Sequence, residues 1–331
     1  MFKPDLCKLC GTCLVKCQWM DVERDQAIEW RKAMISGQKS PALDHCLTCF
    51  ACKEYCPNGA NPCDQNMELL EKFHTPAQEE AIRLTETSYL FEGELRDVPQ
   101  ADCVMTVCSY KKSNPEFFES ELYNLPTVGG KPYLCWAEFP HMGGISVQEK
   151  HLQTLVDRLA ATGAKEIVCF HADCYSAIAS IAPEIGIKLP FRPVHLAEYL
   201  SDYLSKNKNR VKPLNIEVAY QRPCTTRHTS DKEHLIDEFF EHVGVKRVKR
   251  EYEGKNSLCC TSLKLLHNKG DAKPDREKNI LDAKKAGAKL MIYFCPICKN
   301  MLTDVSVEHS LPLVFLGDLA RASLGEIELP V

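Results

Sequence analysis

The sequence predicts an α+β multidomain protein, with a helical N-terminal unit followed by two repeated α/β units built on parallel sheets. Three observations carry this. The run C-x₂-C-x₂-C-x₃-C occurs twice near the start, at Cys7, Cys10, Cys13, Cys17 and at Cys46, Cys49, Cys52, Cys56, with helix-patterned residues between. Beyond Ala101 the chain repeats itself: Gly163 to Cys174 superposes on Gly287 to Cys298 at an offset of 124 that also carries Cys135 onto Cys259. In each copy a helical stretch ends at a glycine and feeds a short apolar strand. That is the grammar of a parallel α/β sheet, whose ligands sit beyond the carboxyl ends of the strands.

Between the cysteine runs, Trp19 to Asp44 carries Val22, Ile28, Trp30, Ala33, Met34 and Ile35 among charged residues, a mostly helical pattern in which Trp19, Met20 and Trp30 are expected to fill core. Pro62 to Tyr89 continues with helix formers broken at Pro76, and Gly93 to Pro99 reads as a linker. The first copy opens with a strand at Val104 to Val107 and uses a helix over Gln148 to Ala161. The second opens at Ile216 to Ala219 with a helix over Arg276 to Ala286. The tails Val194 to Leu200 and Val314 to Ala320 also match. The expected domains are residues 1–92, 100–205 and 213–331.

Composition excludes several classes of function. With 331 residues, 44% hydrophobic and 26% charged, the chain is an ordinary globular protein of two or three domains. No apolar stretch approaches the roughly 20 residues that span a bilayer. No charged-then-apolar signal precedes Cys7, so the nineteen cysteines are expected to be metal ligands in a reducing cytoplasm. Net charge is −4 and the basic clusters, Lys206 to Lys212 and Lys246 to Arg250, are small. They read as solvated loops, or as docking points for an acidic partner, and give no nucleic-acid footprint. His141 with Gly143-Gly144 forms no GxGxxG or Walker pattern, so no flavin, nicotinamide or nucleotide site is expected.

The N-terminal spacing points to iron–sulfur cubanes. C-x₂-C-x₂-C lets one tight loop offer three thiolates to a cluster, while the fourth cysteine usually ligates the other cluster. Cys7, Cys10, Cys13 and Cys56 are therefore assigned to one cubane [4Fe-4S], and Cys46, Cys49, Cys52 and Cys17 to a second. Pro57 follows Cys56 as usual, whereas Gln18 follows Cys17. Structural zinc pairs two C-x₂₋₄-C units without a third cysteine in register, and disulfides need no such regularity.

In the C-terminal copy the cysteines read Cys224, 34 residues, Cys259-Cys260, 34 residues, Cys295-Pro-Ile-Cys298. This pattern resembles the cysteine-rich CCG domain of the heterodisulfide reductase family, which includes proteins with a helical two-cluster ferredoxin domain fused to two CCG domains. Thr261 stands where the family has glycine after the cysteine pair. The resemblance implies a noncubane [4Fe-4S] cluster on Cys224, Cys259, Cys260, Cys295 and Cys298 that binds substrate sulfur. Zinc on four of the five thiolates is the alternative, although a closed Cys₄ site has no use for an adjacent fifth.

The N-terminal copy is degenerate. At the offset of 124, Trp136 replaces the counterpart of Cys260 and His171 that of Cys295, leaving Cys108, Cys135 and Cys174. Those thiolates with His171 suit zinc or a conventional cluster. The favoured reading is an architectural domain without metal, with Trp136 filling a vacated cavity. Cys63, Cys103 and Cys169 lie outside every motif and are assigned no role. Arg222, Arg227 and His228 flank Cys224, either facing a substrate carboxylate or cluster sulfurs, or simply lying on the surface.

The resulting expectation is an iron–sulfur electron-transfer and catalytic subunit of a heterodisulfide-reductase-like complex, acting on a disulfide or thiol. With no flavin site of its own, it needs a flavoprotein subunit or a membrane cytochrome as partner, and any membrane association runs through that partner. A pure electron relay between a flavoprotein oxidoreductase and a quinone or ferredoxin pool, and a zinc-stabilised scaffold, are the alternatives.

Overall fold

The computed structural model describes residues 1–331, the side chain of Ser113 excepted. The N-terminal unit is a set of helices, Thr12–Val15, Arg24–Ile35, Pro41–His45, Ala51–Tyr55, Pro62–Lys72 and Pro76–Tyr89. Pro62 and Pro76 each occupy the first turn, where their missing N–H costs nothing. Thr75 and Gln78 complete a capping box, so Pro76 begins a helix as well as breaking one. Helix Arg24–Ile35 buries Ala27 and Met34 against Leu14, Leu43 and Leu69. Trp19 and Met20 do not join a helix: they lie in the turn that follows Cys17.

Two four-stranded, all-parallel sheets follow. The first contains β1 (Cys103–Thr106), β2 (Thr127–Val128), β3 (Glu166–Cys169) and β4 (Arg192–His195), in the order β2-β1-β3-β4. The second contains β5 (Ile216–Gln221), β6 (Val245–Arg247), β7 (Leu290–Tyr293) and β8 (Leu313–Phe315), in the matching order β6-β5-β7-β8. Identical strand order is the structural counterpart of the sequence repeat. The edge strands β2 and β6, of two and three residues, are too short to leave a hydrophobic period. The helices before β3 and β7 run Ile145–Ala160 and Lys273–Lys285, and Gly163 and Gly287 stop them at φ 65° and 91°.

The two units share one core. Met105, Val168 and Val194 of the first sheet join Val218, Ile292 and Val314 of the second, and Phe170 meets Phe315 at 5.3 Å between ring centroids. Each such side chain, fully buried, contributes about 1.5–3 kcal/mol, so the halves are held as one body. In the second basic cluster Lys246 and Lys249 are exposed, as a solvated loop would have them, but its two arginines are not. Arg247 pairs with Glu233, Asp237 and Glu253, while Arg250, its side chain 1% exposed, pairs with Asp282 and donates to the Tyr220 carbonyl. Glu253 is local, but Glu233, Asp237 and Asp282 come from neighbouring elements, which a local charge run does not reveal. Among the described residues no helix is long and apolar enough to cross a membrane.

Candidate iron–sulfur and cysteine-rich sites

The two N-terminal cysteine loops are copies in conformation as well as in sequence. Leu9 and Thr48 have φ 52° and 53°, and Gly11 and Phe50 have φ 70° and 60°, so each loop turns twice through the left-handed region. Three of these four residues carry a β-carbon, a strain tolerated where the surroundings over-determine the backbone. Each loop thereby aims three sulfurs inward. Cys7, Cys10, Cys13 and Cys56 surround one small void, and Cys17, Cys46, Cys49 and Cys52 surround a second. Burial pushes the Cys13 and Cys46 thiols up to about 12.

Among the residues beyond the motifs that face the second void, Cys63 and Asn66 approach its sulfurs. Cys63, which belongs to neither cysteine run, lies against Cys52. Asn66 Nδ2 points at the sulfurs of Cys46 and Cys52, 4.0 and 3.9 Å away, and its Oδ1 is held by Arg31 Nη1 at 3.1 Å. Donors aimed at ligand sulfur stabilise the reduced, more negative state. Asn66→Leu is therefore expected to lower the potential of a cluster held at this void by tens of millivolts, roughly the 0.5–1.5 kcal/mol of one hydrogen bond. A redox titration that leaves the potential unchanged would remove Asn66 from this role.

At the carboxyl edge of the second sheet five sulfurs converge. Cys224 follows β5, Cys259 and Cys260 lie in the loop before helix Ser262–Leu266, and Cys295 and Cys298 flank the start of helix Pro296–Glu308 after β7. Hydrogen bonds from Cys259, Cys298 and Ser262 pull the Cys260 thiol well below its usual range, while Cys259 and Cys298 are pushed up. Cys224 is raised by burial and then by negative charge on Asp173, Cys260, Cys295 and Cys49. Thiols this close and this dry cannot all ionise unless positive charge sits among them. The donor set therefore fits a metal centre, and its five thiolates are one more than a tetrahedral zinc takes. Thr261 holds φ 73° at 0% exposure, so the backbone keeps the conformation glycine would take, and its hydroxyl lacks a hydrogen-bond partner.

His141, which the sequence offered only as a failed nucleotide motif, ties the sites together. Its Nδ1–H donates to the Thr48 carbonyl at 3.0 Å, and its Nε2 faces Cys224 Sγ at 3.5 Å. Burial lowers its pKa and keeps the ring neutral. Phe50 packs against it at 4.7 Å and against His228 at 4.5 Å. Trp19, Leu47 and Cys49 join the apolar cluster around Cys259, Cys260, Cys295 and Cys298. The partners of His141 lie 93 and 83 residues away, so no local pattern could have exposed it.

Arg222 and Arg227 are neither on the surface nor free for a substrate carboxylate. Both are 4% exposed, and both reach Glu54 of helix Ala51–Tyr55, Arg222 with two nitrogens at 2.9 and 3.0 Å and Arg227 at 2.5 Å. His228 Nδ1 sits 3.4 Å from Lys53 Nζ.

The N-terminal copy requires a shift in register. Trp136 has φ 58° and accepts from Phe139 N, as Thr261 has φ 73° and accepts from Lys264 N, so Trp136 stands at the place of Thr261. Cys135 is thus the counterpart of Cys260, and Leu134 that of Cys259. Trp136 fills no vacated cavity: it stacks on His151 at 3.9 Å and packs on Phe139 and Tyr89. Cys108, Cys135 and Cys174 do converge, and Cys108 is drawn well below the usual thiol range by hydrogen bonds from the other two. His171 turns to the other copy, lying against Cys295 with Asp173 3.3 Å from its Nδ1 and the Tyr110 hydroxyl 3.4 Å from its Nε2. Although burial opposes it, Asp173 and Cys295 raise His171 to about 9. Among the described residues no cysteine forms a disulfide.

Residues 4–60 match the 4Fe-4S dicluster domain family, and residues 218–303 match the Cysteine-rich domain family, CCG. The chain is 23% identical over 375 residues to a subunit of the dihydromethanophenazine:CoB--CoM heterodisulfide reductase of Methanosarcina barkeri, covering 92% of this chain and 89% of the relative. It is 24% identical over 378 residues to the equivalent protein of Methanosarcina mazei, with the same coverage. A crystal structure of a hypothetical protein from Helicobacter pylori superposes with a TM-score of 0.67 at 14% identity, over 91% of this chain and 67% of that one, and shows a shared fold. With a dicluster domain at its start, a cysteine-rich domain near its end and paired parallel sheets, this chain is a 4Fe-4S redox protein homologous to that heterodisulfide reductase subunit.

Proposed function

We propose that the chain is the electron-transfer and catalytic subunit of a heterodisulfide-reductase-like complex, passing electrons through two cubane clusters to a noncubane cluster that works on a disulfide or thiol. Cys7, Cys10, Cys13 and Cys56 would hold the first cubane, Cys17, Cys46, Cys49 and Cys52 the second, and Cys224, Cys259, Cys260, Cys295 and Cys298 the noncubane group. The observation that carries this reading is the adjacency of the last two sets: Cys49 acts electrostatically on both Cys224 and Cys259, and His141 spans the gap. When bound, the clusters store single electrons and offer an iron that can take the first sulfur of a disulfide, whose reduction needs two.

The chain's own residues prepare that chemistry. Leu47, Phe50 and Trp19 exclude water between the sets, and the Glu54 ion pairs fix the helical unit against the Cys224 loop. His171, oriented by Asp173, holds a proton beside Cys295. Electrons enter from a partner, a flavoprotein subunit or a membrane cytochrome, and the protein works in the cytoplasm or at the membrane through that partner. A purely relaying subunit is favoured by one observation, that the N-terminal copy keeps three cysteines where the C-terminal copy has five.

Low-temperature electron paramagnetic resonance separates the two readings. A new signal that appears only with a small thiol is the expected outcome, and a spectrum indifferent to thiol supports the relay. Iron and acid-labile sulfide should reach about twelve atoms each per chain, from three four-iron clusters. Zinc without iron would leave only a scaffold.

A further inference from the structure

The loops after β1 and β2 border an open cleft of about 720 Å³ at the carboxyl edge of the first sheet, flanked on a third side by Ser88 and Tyr89 at the end of helix Pro76–Tyr89. Its volume is that of a small-molecule site, and its position is where parallel α/β sheets take ligands. Cys108 lines it, and so do Lys111, Lys112 and Lys131. Among the described residues no carboxylate lies within 4.0 Å of any of these three ammonium groups, whereas Lys150, Lys246, Lys264 and Lys273 are each paired. Lys111 is steadied by the Thr127 hydroxyl at 3.0 Å. In a chain of net charge −4, three uncompensated cations surround one mouth.

The cleft wall is built. A β-carbon on Gly129 would lie 2.5 Å from the Cys108 carbonyl oxygen, and Gly130 N donates to that oxygen at 2.7 Å, so the two loops are locked together. Cys108 itself holds φ 48°, a conformation that residues with a β-carbon rarely adopt. No lining residue comes from the second sheet or from the N-terminal cysteine loops.

We propose that this cleft binds a small molecule bearing an oxyanion, its charged group against Lys111, Lys112 and Lys131 and its apolar end toward Cys108. Converging like charges over low-dielectric walls concentrate anions. A concave cleft walled by three segments suits a small ligand better than an acidic protein surface, and the site is separate from the five-cysteine centre.

Calorimetric titration of the anaerobic, cluster-loaded full chain with butyrate and with the neutral butan-1-ol, neither of which carries a thiol for the five-cysteine centre, tests this. The acid is expected to bind at least tenfold more tightly than the alcohol. The variant K111Q/K112Q/K131Q should lose at least tenfold in affinity for the acid with iron content and circular dichroism unchanged, while Cys260→Ala retains the binding. Equal binding of acid and alcohol, an unaltered affinity in the triple variant, loss of binding in Cys260→Ala, or no binding of the acid at millimolar concentration would each overturn the proposal.

Discussion

Glu54→Gln is expected to destabilise the docking of the helical unit by about 3 kcal/mol, seen as an earlier first transition in urea. Glu54 is the common partner of Arg222 and Arg227, whose side chains are 2% and 5% exposed. Removing one member of a buried pair leaves charge without compensation, which costs about 3–5 kcal/mol. The lower figure applies because Arg222 keeps Glu233 at 3.0 Å and Arg227 keeps the Lys255 and Ser257 carbonyls. Hydrogen exchange should rise in Ala51–Tyr55 and Cys224–Lys232 before the sheets open. An unchanged first transition would show that apolar contact alone holds the units together.

Cys260→Ala carries the largest expected functional effect. Cys260 interacts with Cys259, Cys298 and Ser262, so its loss removes the sulfur at the middle of the set. Iron should fall from about twelve to about eight atoms per chain, with the two cubanes retained. The thiol-dependent resonance should vanish. Disulfide reduction should drop by more than ~100-fold, beyond what loss of a residue supporting a ligand brings about. Full iron content with full activity in this variant would take the chemistry away from the five cysteines.

The gathering of the N-terminal cysteines at two voids was legible in part because C-x₂-C-x₂-C is a local constraint: a loop of seven residues decides where three sulfurs point. The sheet architecture was legible for a similar reason, since glycine stops and apolar strands recur at a nearly constant offset. The same offset misled at Trp136. A one-residue difference between the loops before helices Glu138–Met142 and Ser262–Leu266 moves Cys135 opposite Cys260, and only the left-handed turns at Trp136 and Thr261 reveal it. The roles of His141, Asn66 and Glu54 leave no local pattern because their partners are supplied by distant segments.

Spacing and periodicity along the chain determined the three-cysteine loops, the helical start and the repeated parallel sheets, since each depends on neighbours within a few residues. Tertiary structure alone decided that His171 serves Cys295 in the other copy, that Arg222 and Arg227 close on Glu54, and that three lysines line a cleft at Cys108. Those are encounters between segments far apart in sequence, set by how the two sheets and the helical unit bury their shared apolar surface.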